Sequence, residues 1–186
     1  MTIINPNFHF TNTTNRGNVT NAILIHHVAG RMSAARVHTM HQSPPRNWAG
    51  IGYHFHIDFD GTITQGRDMR HQGAHSRANN RTSIGIVLNG NFHTNDRVTD
   101  AQFNALVWLI RHIRGTYGDL PVIGHGEVSA TACPGRHFPM ARLREVLNAP
   151  CAASNPPTAV EAPRDTTPRG YTVKDGHARL SFGQTR

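Results

Sequence analysis

At 186 residues and 37% apolar content, the chain is long enough for one domain of ordinary size with some length to spare. No apolar run reaches 18 residues, so no membrane-spanning helix is expected, and Met1-Thr2-Ile3-Ile4-Asn5-Pro6 lacks the basic start and apolar stretch of a secretory leader. The net charge of +8, with Lys174 the only lysine among 19 basic residues, suits either simple solubility or contact with a polyanion such as nucleic acid, anionic lipid or cell-wall polymer.

Residues 1–20 are rich in Asn and Thr and read as an irregular arm, with Phe8 and Phe10 as its anchors. Ala22–Val28 is a short, β-branched apolar run and reads as a buried strand. Ser33 is placed to cap a helix running to about His41, which Ser43-Pro44-Pro45 breaks. Ile51–Asp58 alternates as a strand, with Ile51, Tyr53, Phe55 and Ile57 on one face and Gly52, His54, His56 and Asp58 on the other, where His54 and His56 are candidate surface residues. Phe59-Asp60-Gly61-Thr62 turns the chain into a return strand at Ile63-Thr64-Gln65. Residues 66–82 are polar and aperiodic, as expected of a functional loop, and Arg67, Arg70, Arg77 and Arg81 either line a groove or are simply solvated. Ser83–Asn89 is the next strand.

Thr99-Asp100-Ala101-Gln102 is a capping box flanked by a Val98/Phe103 staple. Phe103, Leu106, Val107, Ile110 and Ile113 then keep the helical period to about Arg114, and Gly115 or Gly118 ends the helix. Pro121–Ile123 is a strand, and a last helix starts at Pro139 and runs to about Leu147. The mixed order implies an α/β domain over 1–149: one central mixed β-sheet flanked by helices. Residues 150–169 turn to Pro, Ala, Ser and Thr and read as a linker. Residues 170–186 form a short C-terminal extension in which Lys174-Asp175-Gly176-His177 suggests a hairpin.

The chemistry concentrates in Gly124-His125-Gly126-Glu127-Val128-Ser129-Ala130-Thr131-Ala132-Cys133-Pro134-Gly135. Glycine and proline make this stretch a loop, so His125 and Cys133 can aim at one point. Imidazole nitrogen and thiolate sulfur are the donors zinc prefers, and His26, ending the strand Ile23-Leu24-Ile25-His26-His27, is the candidate third ligand. Three ligands leave a fourth position open to water. The second cysteine, Cys151, reads as a bystander, because a disulfide is disfavoured in the cytoplasm, where a chain without a leader is expected to accumulate. Taken one at a time, the same histidines read as ordinary core or surface residues, and Tyr53 as a core aromatic of its strand.

The motifs Ile-Leu-Ile-His-His, Gly-Tyr-His-Phe, Gly-Ala-His and Gly-His-Gly-Glu-Val-Ser-Ala-Thr-Ala-Cys-Pro-Gly occur in that order over about residues 22–147. Together they resemble the type 2 N-acetylmuramoyl-L-alanine amidases, a family that includes phage lysozyme-amidases and is related to the peptidoglycan recognition proteins. The resemblance implies a Zn2+ cofactor held by His26, His125 and Cys133 at one edge of the sheet. It also implies catalytic roles for Tyr53 and Thr131, and a substrate-groove position for His75. Some phage amidases carry lysine at the position of Thr131, where this chain has a weaker hydroxyl donor. Glu127 reads as a structural neighbour of the ligands rather than a general base. The implied reaction is hydrolysis of the amide joining N-acetylmuramic acid to L-alanine, with peptidoglycan or a muropeptide as partner and the cell wall as the place of action. A phage or prophage endolysin is the leading expectation, and a cytoplasmic muropeptide-recycling amidase the alternative. A non-catalytic peptidoglycan receptor is disfavoured because Cys133 is present. A nucleic-acid partner is not expected, since no motif for one accompanies the charge.

Overall fold

The computed structural model describes residues 1–17 and 19–149. The expected linker at 150–169, the hairpin at 170–186 and Cys151 lie outside the described residues. Six strands form one mixed sheet: β1 (Ile3–Ile4), β2 (Ala22–His27), β3 (Phe55–Ile57), β4 (Ile63–Gln65), β5 (Ser83–Leu88) and β6 (Val122–Gly124). Their order across the sheet is β1-β4-β3-β5-β2-β6. Only the β3–β4 hairpin is antiparallel; β1–β4, β3–β5, β5–β2 and β2–β6 are parallel. Three helices accompany it: α1 (Ala34–Gln42), α2 (Asp100–Tyr117) and α3 (Met140–Asn148). Among the described residues no helix is long and apolar enough to cross a membrane.

Strands β2 and β5 lie inside the sheet, and every residue of both is buried. This is why they read as nearly unbroken apolar runs rather than alternating ones. Ile23 and Ile25 of β2 and Ile84, Ile86 and Leu88 of β5 pack with Phe103, Leu106, Leu109, Ile110 and Ile113 of α2 and Leu143 of α3 in the main core. The period-2 rule then sends Leu24 and His26, with Gly85 and Val87, to the opposite face. Register aligns His26 with Val87 and Ile25 with Gly124.

The capping box forms as expected: the Thr99 hydroxyl accepts the Gln102 N–H, and the Gln102 side chain accepts the Thr99 N–H. The helix runs on to Tyr117 and ends at Gly118, whose φ of 83° favours glycine; Gly115 stays inside it. Ser33 caps α1 through the Arg36 N–H.

Three local expectations need correction. The N-terminal arm is not wholly irregular, because Ile3–Ile4 pair with Ile63 and Thr64 as an edge strand. The strand expected over 51–58 is regular only at Phe55–Ile57. Before it, the Ile51 and Gly52 N–H groups donate to Nδ1 of His38 and His41, so helix histidines take donors that a neighbouring strand would have taken. His54 and His56 are not at the surface: they are 0% and 1% exposed. Backbone partners satisfy both nitrogens of His54 and one of His56, whose Nδ1 is buried without a partner. His54 Nδ1 accepts the Gly85 N–H, its Nε2 meets His71 O at 3.0 Å, and His56 Nε2 meets Met32 O at 2.9 Å. Both faces of β3 are covered, so alternation of apolar and polar residues does not mean inside and outside here.

Candidate metal centre

His26 leaves the sheet on the face opposite α2, and the loop that follows the edge strand β6 brings His125 and Cys133 over it. Their candidate ligand atoms all lie within 4.8 Å of one another. His26 Nδ1 stands 3.7 Å from Cys133 Sγ. Two donors on one tetrahedral zinc, at ordinary Zn–N and Zn–S lengths, are about 3.6 Å apart. The donor set, two imidazoles and one thiol, therefore fits zinc in chemistry, and the His26–Cys133 separation fits it in spacing. His26 is 1% exposed, while His125 and Cys133 are half-buried, so the centre has a buried floor and an accessible rim. Among the described residues Cys133 has no disulfide partner.

Several features hold the ligand loop. It opens with a 3-10 turn at His125–Glu127, a short helical element inside a stretch whose glycines and proline suggested loop throughout. The Gly126 N–H donates to Cys133 O at 2.6 Å, closing the loop on itself. A Cβ on Gly126 would lie 2.6 Å from Thr131 O and 2.9 Å from Cys133 O, so closure at this distance requires glycine. Glu127 is the structural clamp. Its carboxylate accepts the Gly124 N–H at 2.7 Å and the Arg144 guanidinium at 2.6 and 2.7 Å, while Arg144 Nε donates to Val122 O. One arginine from α3 thus ties β6 and the His125 turn together.

Burial sets the protonation of these groups. It holds His26 well below the usual histidine range, helped by the neighbouring His125 and His27, and it lowers His125 as well. Both imidazoles are therefore neutral, as ligands must be. Burial pushes the Cys133 thiol up to about 11, against one favourable contact, the His27 N–H donating to Sγ at 3.4 Å. Without a cation this site does not stabilise a thiolate.

Tyr53 approaches from the strand lead-in, its ring centroid 5.2 Å from that of His26. Burial and the nearby Cys133 raise its phenol well above the usual tyrosine value, so it is a proton donor near neutral pH. Thr131 is exposed on the loop, and its hydroxyl accepts the Cys133 N–H at 3.3 Å. His75 borders a cavity of about 350 Å3 with Trp48, Ala74, Ser76, Arg77 and Asn80. Its ring nitrogens are not what it offers there: Nδ1 lies 3.0 Å from His26 Nε2, and Nε2 is enclosed without a partner. His27 faces away from the centre, and its Nδ1 accepts the Phe92 N–H.

Of the four loop arginines, Arg67 is buried and donates to Ile51 O and Gln72 O, fastening the segment before Tyr53. Arg70 pairs with Asp68, and Arg77 and Arg81 are exposed. Sequence reasoning gave no structural role to His38, His41 or Arg144, and it took His54 for a surface candidate. Only the unusual number of histidines, 14, hinted that several must have structural work.

Comparison with known proteins agrees with this geometry. Residues 16–136 match the family described as N-acetylmuramoyl-L-alanine amidase. The endolysin of Enterobacteria phage K11 is 36% identical over 93 residues, an alignment covering 48% of this chain and 62%, under two thirds, of that protein. Peptidoglycan-recognition protein SC2 of Drosophila melanogaster is 34% identical over 139 residues, 69% of this chain and 75% of that one. Among solved structures, the endolysin and N-acetylmuramoyl-L-alanine amidase LysCS of Clostridium intestinale superposes with a TM-score of 0.74 at 34% identity, covering 79% of this chain and 95% of its own. A six-stranded mixed sheet with three helices, matched over most of its length, and a His-His-Cys cluster on one face place this chain in the N-acetylmuramoyl-L-alanine amidase family.

Proposed function

We propose that this chain is a zinc-dependent peptidoglycan hydrolase that cleaves the amide bond between N-acetylmuramic acid and L-alanine, and that it acts on the cell wall as a phage or prophage endolysin. The observation carrying the reading is the convergence of His26, His125 and Cys133 ligand atoms within 4.8 Å in a chain of the amidase family. The similarity to phage and clostridial endolysins supports the lytic role over the recycling of soluble muropeptides. In this reading residues 1–149 form the hydrolase unit, which encloses the whole family match.

His26, His125 and Cys133 would hold the ion, which when bound would supply Lewis acidity for the amide carbonyl and lower the pKa of water at the site. Tyr53 keeps its proton and donates it in a hydrogen bond to the carbonyl oxygen as negative charge develops there. Thr131 accepts the Cys133 N–H with its oxygen, which leaves its own O–H to donate to the same oxygen or to the leaving amine. Glu127 takes no proton: its carboxylate is committed to the Gly124 N–H and to Arg144. Products are the free glycan and the free stem peptide.

Digestion of purified sacculi, assayed for new L-alanine amino termini and paired with metal analysis, tests the reading. Release from intact sacculi supports the lysin role, and release from soluble muropeptides alone supports the recycling role. Cys133→Ser is expected to fold, to lose zinc, and to lower amide hydrolysis by at least roughly 100-fold. Full hydrolysis by that variant would remove Cys133 from the site.

A further inference from the structure

The two ring nitrogens of His26 have different partners. Nδ1 faces the candidate metal position, 3.7 Å from Cys133 Sγ, and Nε2 lies 3.0 Å from Nδ1 of His75. Metal-bound histidines usually anchor their second nitrogen on a carboxylate, a backbone carbonyl or water. Here the anchor is another imidazole, which accepts or donates according to its tautomer. We propose that His75 is a positioning residue that fixes His26 in the Nε2–H tautomer and in the orientation that aims the Nδ1 lone pair at the metal. This rests on the reading of His26 as a metal ligand.

The proton assignment follows from the contacts. A lone pair on His26 Nδ1 requires the proton on Nε2, so Nε2–H donates to His75 Nδ1. His75 must then carry its own proton on Nε2. The reverse arrangement, with His75 Nδ1–H donating to His26 Nε2, puts the His26 proton on Nδ1, where the metal would be. The two tautomers are locked to each other. His54, whose ring meets that of His75 edge-on at 5.6 Å, cannot relieve them. Its Nδ1 accepts the Gly85 N–H and its Nε2–H donates to His71 O, so both its nitrogens are occupied.

The fold also fixes the His75 ring. It lies in a slot between Gly73 and Gly85, where an added Cβ would come within 2.4 and 2.5 Å of His75 Cδ2. The Asn80 side-chain oxygen accepts the backbone N–H of both His75 and Ser76 at 2.8 Å, pinning the segment that carries the ring. Within this slot His75 Nε2 is buried without a well-formed hydrogen bond, the Ser83 backbone being the one polar group that acts on the ring beside the histidines. A buried polar atom left unpaired is destabilising. An apolar ring of similar size would escape that penalty, so packing alone does not account for histidine here, whereas an acceptor for His26 Nε2–H does.

The test uses His75→Leu, which removes the acceptor, and His75→Asn, whose side-chain oxygen falls near the position of Nδ1. Zinc affinity is measured by competition with a chromophoric chelator, and site geometry by the visible absorption of the cobalt-substituted protein. His75→Leu is expected to weaken zinc binding roughly 10- to 100-fold and His75→Asn to recover most of that loss. The metal-free His75→Leu protein should melt close to the parent, because it exchanges an unpaired His75 Nε2 for an unpaired His26 Nε2. Wild-type zinc affinity and an unchanged cobalt spectrum in His75→Leu would overturn the proposal. His26→Ala serves as the control: if it binds zinc as the parent does, the metal-site reading itself falls, which is a different result. Where His75→Leu does not fold, long-range 15N–1H correlation on the zinc-loaded parent decides: protons on Nε2 of both His26 and His75 support the proposal, and a proton on Nδ1 of either overturns it.

Discussion

Tyr53 illustrates how one side chain takes its role from its surroundings. The Arg67 guanidinium holds Ile51 O, and the imidazoles of His38 and His41 accept the N–H groups of Ile51 and Gly52, so the segment carrying Tyr53 is fixed by three side chains. The phenol, raised well above its usual range by burial and the nearby Cys133, keeps its proton and so can donate it in a hydrogen bond. Tyr53→Phe removes that donor and little volume. It is expected to lower kcat about 100-fold with zinc content unchanged, the scale set by losing one oxyanion donor. Steady-state kinetics on a defined muropeptide with parallel metal analysis check this, and an unaltered kcat would make Tyr53 a packing residue.

Among the elements, the connection from β6 into α3 matters most to the centre. Arg144, one turn into α3, spans Val122 O and the Glu127 carboxylate, so the helix holds the turn that presents His125. The pair is more than a third exposed on both sides, and its direct contribution to stability is small, about 0.5 kcal/mol. Its effect should instead appear at the site. Arg144→Met is expected to shift the melting temperature by only a few degrees while weakening zinc binding several-fold, because His125 is then less well placed. Chelator competition alongside thermal melts separates the two effects, and unchanged zinc affinity would show that the turn holds itself.

At the scale of the whole molecule, the fold depends on buried neutral histidines. Burial lowers His41 and His54 to about 4, holds His26 and His75 well below the usual range, and lowers His27, His38 and His56. In the unfolded chain these groups titrate near 6.5. Below that pH the unfolded state binds protons that the folded state refuses, so stability is complete above about 6.5 and falls as pH drops toward 4. For His41 and His54 the loss is about 3 kcal/mol each, a large share of a typical folding free energy. Denaturant melts of the zinc-free protein should show a midpoint falling steadily from pH 7 to pH 4.5. A flat midpoint would mean that these rings are hydrated.

Much of this was legible in the chain itself. The capping box, the amphipathic period of α2, the unbroken apolar runs of β2 and β5 and the Asp60-Gly61 turn are local signals, each stated by a few adjacent residues. The ordered motifs also nominated His26, His125 and Cys133, because ligand chemistry is written in residue type. Tertiary structure alone decided which imidazole nitrogen faces which partner. It buried His54 and His56 on a strand face that alternation left open to a surface reading, turned the His75 ring toward His26, and made Arg144 the keeper of the ligand loop. The reason is physical: histidine and arginine are polar by composition but are buried wherever backbone groups distant in sequence satisfy them, and those partners exist only once the chain has closed on itself.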